Sequence, residues 1–188
     1  MANINTTQFA LLGMLSFKPM TGYDIKKFTD MSISYFWSEN YGHIYPVLKK
    51  LEKEGLVTKE IEPGEGKPDK KVYSITEDGK RALREWLGIP VQKEIYRLEI
   101  LLKLFFGYWT DTGNMIEKVS IHKEAAEKTL NELLEIESHV NDEHHDQFKN
   151  EPPYMKLCLN YGKQFYNMVI RWCEETLGIL EKSKGENK

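Results

Sequence analysis

The first half of the chain predicts four helices, from apolar residues at helical spacing in some stretches and from capping residues in others. Pro19 breaks the chain after the first helix, and Thr21 can cap the second helix with Asp24 three positions later. The third stretch, residues 47–54, has one apolar face and one lysine-rich face. Thr76 then caps the fourth helix.

Between the third and fourth helices the pattern changes to that of β-strands. Gly55 ends the third helix, because a residue without a Cβ atom adopts the left-handed conformation freely. Residues 56–62 alternate between apolar and polar, and residues 70–75 are rich in β-branched and aromatic side chains. Residues 63–69 contain two prolines and two glycines. The sequence therefore predicts a two-stranded hairpin between two helices, which is the order of elements in a winged helix.

Pro46 leaves the start of the third helix open. It has no N–H to donate to the carbonyl of Gly42, so the helix either begins at about His43 or follows a separate, kinked turn over residues 38–42. Both alternatives place the N–H groups of residues 40–44 near a helix start, which favours phosphate. In a third alternative, Pro46 and Gly42 only shape a loop.

A set of short motifs accompanies these elements: Leu11 to Ile25 with Gly22-Tyr23-Asp24, then Phe36-Trp37-Ser38, Gly42-x-Ile44-Tyr45-Pro46-x-Leu48-x-x-Leu51-x-x-Glu54-Gly55 and Tyr73-Ser74-Ile75-Thr76-x-x-Gly79. In these motifs the chain resembles the PadR family of bacterial transcription regulators. The helical second half is similar in architecture to the longer PadR subfamily. His43 stands where the family usually has a small hydroxyl residue, and we expect it to give a base preference of its own.

A winged helix-turn-helix binds DNA through its recognition helix, its wing and the start of the preceding helix. We expect Asn40, Tyr41 and His43 to contact base edges. The remaining predicted DNA-binding residues supply hydroxyls or positive charges for phosphates: Thr21, Tyr23, Ser38, Tyr45, Lys49, Lys50, Lys67, Lys70 and Lys71. For Tyr23 and Tyr45, a place in the hydrophobic core is the alternative.

The overall charge does not by itself indicate a DNA-binding protein. The formal net charge is −3; residues 1–88 hold 13 Lys+Arg against 12 Asp+Glu, and residues 89–188 hold 13 against 17. The attraction of DNA must therefore come from the local placement of lysines.

The second half of the chain predicts long helices that need a partner. Gly88 and Pro90 divide the chain into a winged helix-turn-helix domain, residues 1–88, and a helical domain, residues 89–188. Helical segments are expected at about 93–110, 114–146 and 153–182. An apolar stripe follows the last segment for about seven turns: Tyr154, Leu157, Tyr161, Phe165, Met168, Trp172, Thr176 and Ile179.

Helices of 30 residues extend about 45 Å, further than a small domain is wide, so we expect a homodimer through this half. The predicted fold class is mainly α with a small β-hairpin wing, followed by an antiparallel, coiled-coil-like dimerisation domain. Several side chains of this half are candidates for an effector pocket, with packing in the core or at the dimer interface as the alternative: Phe105, Trp109, Tyr161, Phe165, Arg171 and Trp172.

Catalytic and metal-binding motifs are absent from the sequence. No Gly-x-Ser-x-Gly motif or phosphate loop occurs, and the His- and Asp-containing run 139–146 lacks the HExxH spacing, so we expect no enzyme, cofactor or metal site. Cys158 and Cys173 lie on one predicted helix, roughly 22 Å apart, so they cannot form a disulfide within the chain. Both are expected to be buried thiols.

Two functions remain in different classes. The resemblance to PadR implies a repressor that binds an inverted-repeat operator as a homodimer and is released by a small aromatic or phenolic effector or a stress signal. The alternative is a winged-helix protein-interaction module without DNA binding. No export signal or membrane segment is visible, so we expect a cytoplasmic location.

Overall fold

The computed structural model describes residues 5–37, 41–63, 69–91, 97–141 and 154–186. Their contacts divide the chain into two units, Met1–Lys93 and Glu94–Lys188. The elements of the first unit are α1 (Thr6–Leu15), β1 (Met20–Thr21), α2 (Gly22–Ser32), α3 (Tyr41–Lys53), β2 (Val57–Glu62), β3 (Lys70–Ile75) and α4 (Glu77–Leu87). Those of the second are α5 (Glu99–Phe105), a 3₁₀ turn (Gly107–Trp109), α6 (Thr112–Asn141) and α7 (Tyr154–Glu186). The predicted mainly helical fold with a small β wing is confirmed.

The sheet of the first unit has three strands in the order β1-β3-β2, and both pairings are antiparallel. Tyr73 in the central strand lies opposite Met20 on one side and opposite Lys59 on the other. The hairpin predicted from the sequence is β2 and β3. The prediction missed β1, because a strand of two residues is too short to show an alternating pattern.

One core holds the first unit together, since α1, α2, α3 and the sheet all contribute side chains to it. Phe9 of α1 stacks on Trp86 of α4 with ring centroids 4.9 Å apart, which attaches α4 to the same core. Burial of a large apolar side chain stabilises a fold by about 1.5–3 kcal/mol. The buried members are Leu11, Leu12, Met14, Leu15, Met20, Ile25, Ile44, Val47, Leu48, Leu51, Val57 and Tyr73.

The predicted helix ends are confirmed by their hydrogen bonds. The Thr21 side chain accepts from the Asp24 N–H at 3.1 Å, and the Thr21 N–H donates to the Asp24 carboxylate at 3.0 Å, so the two form a capping box. The Thr76 hydroxyl accepts from the Gly79 N–H at 3.1 Å. Gly55 has a φ of 72°, in the left-handed region. Its N–H donates to the backbone carbonyl of Glu52 at 3.1 Å, which closes the end of α3.

Helix α3 begins at Tyr41 and runs through Pro46 without a loop. The alternative in which Pro46 and Gly42 only shape a loop is therefore wrong, and the helix starts two residues before His43. The carbonyl of Gly42 lacks the donor that Pro46 cannot supply, but both residues are exposed, so water can take that place.

In the second unit, α6 and α7 form an antiparallel hairpin. Ion pairs join Lys123 to Glu174 at 2.9 Å and Lys163 to Glu137 at 2.5 Å, so residues later in α6 face residues earlier in α7. Between the helices lies a core that includes Val119, Ala126, Val169 and Cys173.

Two predictions for the second unit are wrong. The helical segment expected at about 93–110 is helical only at Glu99–Phe105 within the described residues, because the backbone leaves the α-helical conformation at Phe106 and a 3₁₀ turn follows. Cys158 is exposed rather than buried, since it precedes the buried Leu159 and lies off the face that packs on α6. Both cysteines are free thiols, as expected.

Only part of the predicted apolar stripe of α7 packs on α6. The core shared with α6 contains Val169 and Cys173, which lie outside the stripe, and the stripe residues Phe165 and Trp172 pack against the edge of this core. Within the chain most of the stripe stays exposed: Tyr154, Leu157, Tyr161, Met168 and Ile179. Helix α7 therefore has two apolar faces, and the chain by itself covers one of them.

Candidate nucleic-acid interface

Helix α3 divides its side chains between the core and solvent. Ile44 and Leu48 are fully buried against the first unit's core, whereas His43, Tyr45 and Lys49 on the other side are exposed. The buried residues fix the rotation of the helix about its axis, because moving it would expose them. The exposed side presents an imidazole, a phenol and an ammonium group, which suit the base edges and phosphates of DNA.

At the start of α2, the hydroxyl of Thr21 is already used within the protein. It donates to the Asp24 carboxylate at 2.6 Å besides accepting from the Asp24 N–H. The hydrogen bond from Thr21 holds the pKa of Asp24 below its ordinary value, and the positive charges of Lys70 and Lys18 lower it further. Thr21 thus forms the cap, and its predicted contact with DNA stays a prediction.

The two tyrosines predicted near phosphates are both exposed. Tyr23, in the first turn of α2, is 61% exposed, so its alternative place in the core is wrong. Tyr45 is 42% exposed, and its ring lies against Gly22. Both phenols are accessible at the start of α2.

Lys70 and Lys71 are exposed at the start of β3, the second strand of the wing hairpin. The pairing of Thr21 with Val72 places these lysines beside the start of α2, which agrees with the effect of Lys70 on Asp24. Lys18, whose charge also reaches Asp24, was missed by the sequence analysis, because no periodic element contains it.

Helix α3 is tied to the wing by an ion pair. Glu52 lies 2.6 Å from Lys59 of β2, and this hydrogen bond raises the pKa of Lys59. Lys50 is held differently: its ammonium group donates to the Gln8 side chain at 3.4 Å and lies 3.8 Å from Glu54. The charge of Lys50 is therefore partly balanced within the chain.

Several predicted positions lie outside the described residues. These are Ser38, Asn40 and Lys67, together with residues 142–146 of the His- and Asp-containing run. Tyr41 begins α3, but its side chain is not among those that the structure describes. Within the described ranges, no group of three or more His, Cys, Asp or Glu side chains is placed to hold a metal ion. No helix there is long and apolar enough to cross a membrane.

The six candidates for an effector pocket are not enclosed by the second unit. Phe105 is 77% exposed and Trp109 is 80% exposed. Phe165 and Trp172 are half-buried, with the Trp172 ring 6.4 Å from that of His122. Tyr161 is exposed, and Arg171 borders an open groove of about 660 Å³ along α7. Apolar rings and one positive charge are present, but one chain does not close a cavity around the six.

Comparison with known proteins agrees with the division into two units. The model of the PadR-like family of transcriptional regulators matches residues 11–85, and that of the C-terminal region of virulence activator alpha matches residues 96–181. A probable transcriptional regulator of Mycobacterium tuberculosis is 34% identical over 185 residues, which cover 93% of this chain and 97% of that protein. The chain belongs to the PadR-like family of transcriptional regulators.

PadR of Bacillus subtilis shows how far the likeness extends in sequence and in structure. The negative transcriptional regulator PadR of Bacillus subtilis is 37% identical over 103 residues, which cover 53% of this chain and 55% of that regulator. The crystal structure of Bacillus subtilis PadR in complex with operator DNA has a TM-score of 0.78 and 25% identity, and the match covers 94% of this chain and 99% of that one. These relatives are regulators of transcription and not enzymes.

Proposed function

We propose that this PadR-like chain is a DNA-binding repressor, which binds an inverted-repeat operator as a homodimer and releases it when a small effector binds. The observation that carries the proposal is the exposed side of α3, with His43, Tyr45 and Lys49 turned away from a completed core. Its support from a relative is the operator complex of Bacillus subtilis PadR, which shares the fold over 94% of this chain.

The charge distribution suits this role although the total charge does not. Lys49 lies on the exposed side of α3, and Lys70 and Lys71 lie at the base of the wing. Lys18 and Lys70 both lower the pKa of Asp24, so two more positive charges lie within electrostatic reach of the start of α2. DNA phosphates respond to such local charge, and each phosphate neutralised by a lysine releases counterions.

The division of labour follows from where the side chains lie. We assign Asn40, Tyr41 and His43 to base edges, because the first residues of a recognition helix enter the major groove. Tyr23 and Tyr45 are assigned to phosphates. Residues 1–88 then read the operator, residues 89–188 pair two copies, and the cytoplasm is the corresponding location.

The homodimer is proposed from the uncovered face of α7. Its 33 residues extend about 50 Å, and Leu157, Tyr161, Met168 and Ile179 are exposed along it. A continuous apolar face of this kind marks an interaction surface. Pairing of two copies would cover it and would place two recognition helices for an inverted repeat, since a two-fold symmetric protein contacts two half-sites.

The effector proposal rests on the family and on the aromatic side chains of the second unit. Phe105, Trp109 and Tyr161 are exposed in one chain, so a pocket that includes them needs a second chain to close it. Arg171 is our candidate for pairing with a carboxylate. Effector binding would then change the dimer and, with it, the separation of the two recognition helices.

Salt dependence of operator binding tests the proposal. DNA fragments from upstream of the chain's own gene and neighbouring genes are titrated at about 50 and about 200 mM salt, and we expect tight binding that weakens steeply with salt. Lys70→Ala with Lys71→Ala should reduce the salt slope by about 2 for every sequence. Lys128→Ala, an exposed lysine of α6, is the control and should leave the slope unchanged.

Two outcomes would decide against parts of this proposal. If no upstream fragment binds, the winged-helix interaction module is the better description, and the nearly balanced charge of residues 1–88 favours it. His43→Ala should change the preference at one base position, measured by selection from a randomised operator. Equal weakening of all sequences would show that His43 does not read a base.

A further inference from the structure

The ring of Tyr45 lies so close to Gly22 that no side chain fits between them. A Cβ atom placed on Gly22 would lie 2.7 Å from Cε1, 2.8 Å from Cζ and 3.1 Å from the hydroxyl oxygen of Tyr45. Carbon atoms in contact are normally about 3.5–4.0 Å apart. The Tyr45 ring therefore occupies the space that any residue other than glycine would take at position 22.

Backbone conformation does not explain the glycine. Among the described residues, Gly55 alone has a positive φ, so Gly22 has a backbone that other residues adopt without strain. Gly22 is the first residue of α2, directly after the Thr21 cap. Glycine fits this position because the Tyr45 ring of α3 occupies the place of a Cβ atom.

The contact sets where the Tyr45 hydroxyl stands. Its oxygen lies at the first residue of α2, and the opening N–H groups of a helix have no partner within that helix. The Asp24 N–H is already satisfied by Thr21, and the charges of Lys18 and Lys70 reach this place. A phenol hydroxyl held at the start of a helix can donate to a phosphate there.

We propose that Gly22 is a positioning residue for DNA binding: by lacking a side chain it seats the Tyr45 ring at the start of α2, where the hydroxyl donates to a DNA phosphate. The proposal rests on the proposed DNA-binding function. The motif Gly22-Tyr23-Asp24 does not indicate this role by itself, because the partner of Gly22 lies on another helix.

The variant Gly22→Ala should fold, which makes the proposal testable. Its methyl group would meet the far end of one partly exposed side chain, and Tyr45 can swing away from it. At Gly79, by contrast, a Cβ atom would lie 2.2 Å from the backbone carbonyl oxygen of Leu56. Gly22→Ala therefore displaces a ring, whereas Gly79→Ala displaces the backbone.

The experiment is a double-mutant cycle on operator affinity with the full-length dimer. Gly22→Ala and Tyr45→Phe should each weaken binding about 5- to 10-fold, which is the size expected for one lost hydrogen bond. The double variant should bind no more weakly than Tyr45→Phe, because the first change acts through the lost hydroxyl. Gly13→Ala, which has nothing within 4 Å of its added Cβ, is the matched control.

Binding is also measured to operators in which a single phosphate is replaced by a neutral methylphosphonate. A purely structural role of Gly22 would not change which phosphate matters for affinity. Neutralising one phosphate should weaken wild-type binding, and the same substitution should have little effect on Gly22→Ala and on Tyr45→Phe. Circular dichroism and thermal unfolding of Gly22→Ala should match those of the wild type.

Three results would overturn the inference. In the first, Gly22→Ala lowers operator affinity by the same factor in the wild type and in Tyr45→Phe. In the second, both single variants bind the operator as tightly as the wild type. In the third, every methylphosphonate that weakens wild-type binding also weakens binding by Gly22→Ala or by Tyr45→Phe. In each of them the wild-type chain still binds DNA, so the proposed function stands. If the wild-type chain binds no operator, the proposed function fails and the inference fails with it.

Discussion

The two units of this chain bury their apolar residues to different extents. In the first unit, helices and sheet enclose a single core, and residues such as Leu48 and Tyr73 are almost completely buried. In the second unit, α6 and α7 cover one face of each other and leave Leu157, Met168 and Ile179 of α7 exposed.

The difference shows how the two units obtain their stability. The first buries its apolar residues with its own elements, so its free energy of unfolding should not depend on protein concentration. A single helical hairpin has too few layers to cover two apolar faces of α7. The second unit should therefore gain stability when a second copy binds, and its unfolding should depend on concentration.

The largest effect is expected where the first unit's own packing is broken. In Gly79→Ala the new methyl group on α4 would meet the backbone carbonyl of Leu56, which lies directly before β2. We expect a loss of about 3 kcal/mol or more, since the backbone itself must move. Urea unfolding at two protein concentrations measures it, with Gly13→Ala as control. A variant as stable as the wild type would mean that the two segments are not packed as described.

The second expected effect tests the uncovered face of α7. Leu157→Glu with Ile179→Glu should weaken the proposed homodimer at least about tenfold, because two charges would enter an apolar contact. Sedimentation equilibrium measures the dissociation constant. Asn131→Glu, which adds a charge at an exposed site of α6, is the control. If the double variant dimerises like the wild type, another surface pairs the two copies.

The third prediction sharpens the comparison within the first unit. Thr76→Ala removes the cap of α4 and a hydrogen bond from the Thr76 hydroxyl to the Gly55 carbonyl at 2.8 Å. We expect a loss of about 1–2 kcal/mol, with no change in dimerisation. Thr76→Ser keeps both hydrogen bonds and should recover most of the loss. A dissociation constant of the dimer that differs between Thr76→Ala and the wild type, measured by sedimentation equilibrium, would contradict this prediction.

The smallest expected effect is one of pH. The pKa of Asp24 is lower in the folded chain than its ordinary value of 3.8, so the carboxylate's contribution is present above that value and is lost as pH falls through the folded pKa. Because Asp24 is exposed, we expect less than about 1 kcal/mol. Thermal unfolding of wild type and Asp24→Asn between about pH 5 and pH 2.5 measures the difference, which should shrink on acidification. A difference that grows would contradict the assignment.

Local residues were sufficient to predict most of the first unit. Thr21 and Thr76 cap their helices, and Gly55 ends α3 in the left-handed conformation, as their sequence neighbours indicated. These features depend on hydrogen bonds among residues at most four positions apart, so the sequence contains the whole arrangement. The strand β1 was missed because its two residues are held by β3, which lies about 50 positions further along the chain.

The candidate DNA-binding site also has some features that follow from local sequence and others that depend on distant residues. The exposure of Lys49 follows from the helical period of α3, and the two lysines of the wing follow from the strand boundaries. The contact between Gly22 and Tyr45 does not follow from any pattern, because it depends on how closely two helices approach. The predicted DNA contacts themselves remain predictions.

By itself the sequence determined the order of the four helices and the hairpin of the first unit, the caps at Thr21 and Thr76, the end of α3 at Gly55 and, through its motifs, the family. Local hydrogen bonds and side-chain periods are sufficient for these. The tertiary structure decided which of the two apolar faces of α7 packs on α6 and which space the ring of Tyr45 fills. Both depend on contacts between residues far apart in the chain, and several such packings are compatible with one helical pattern.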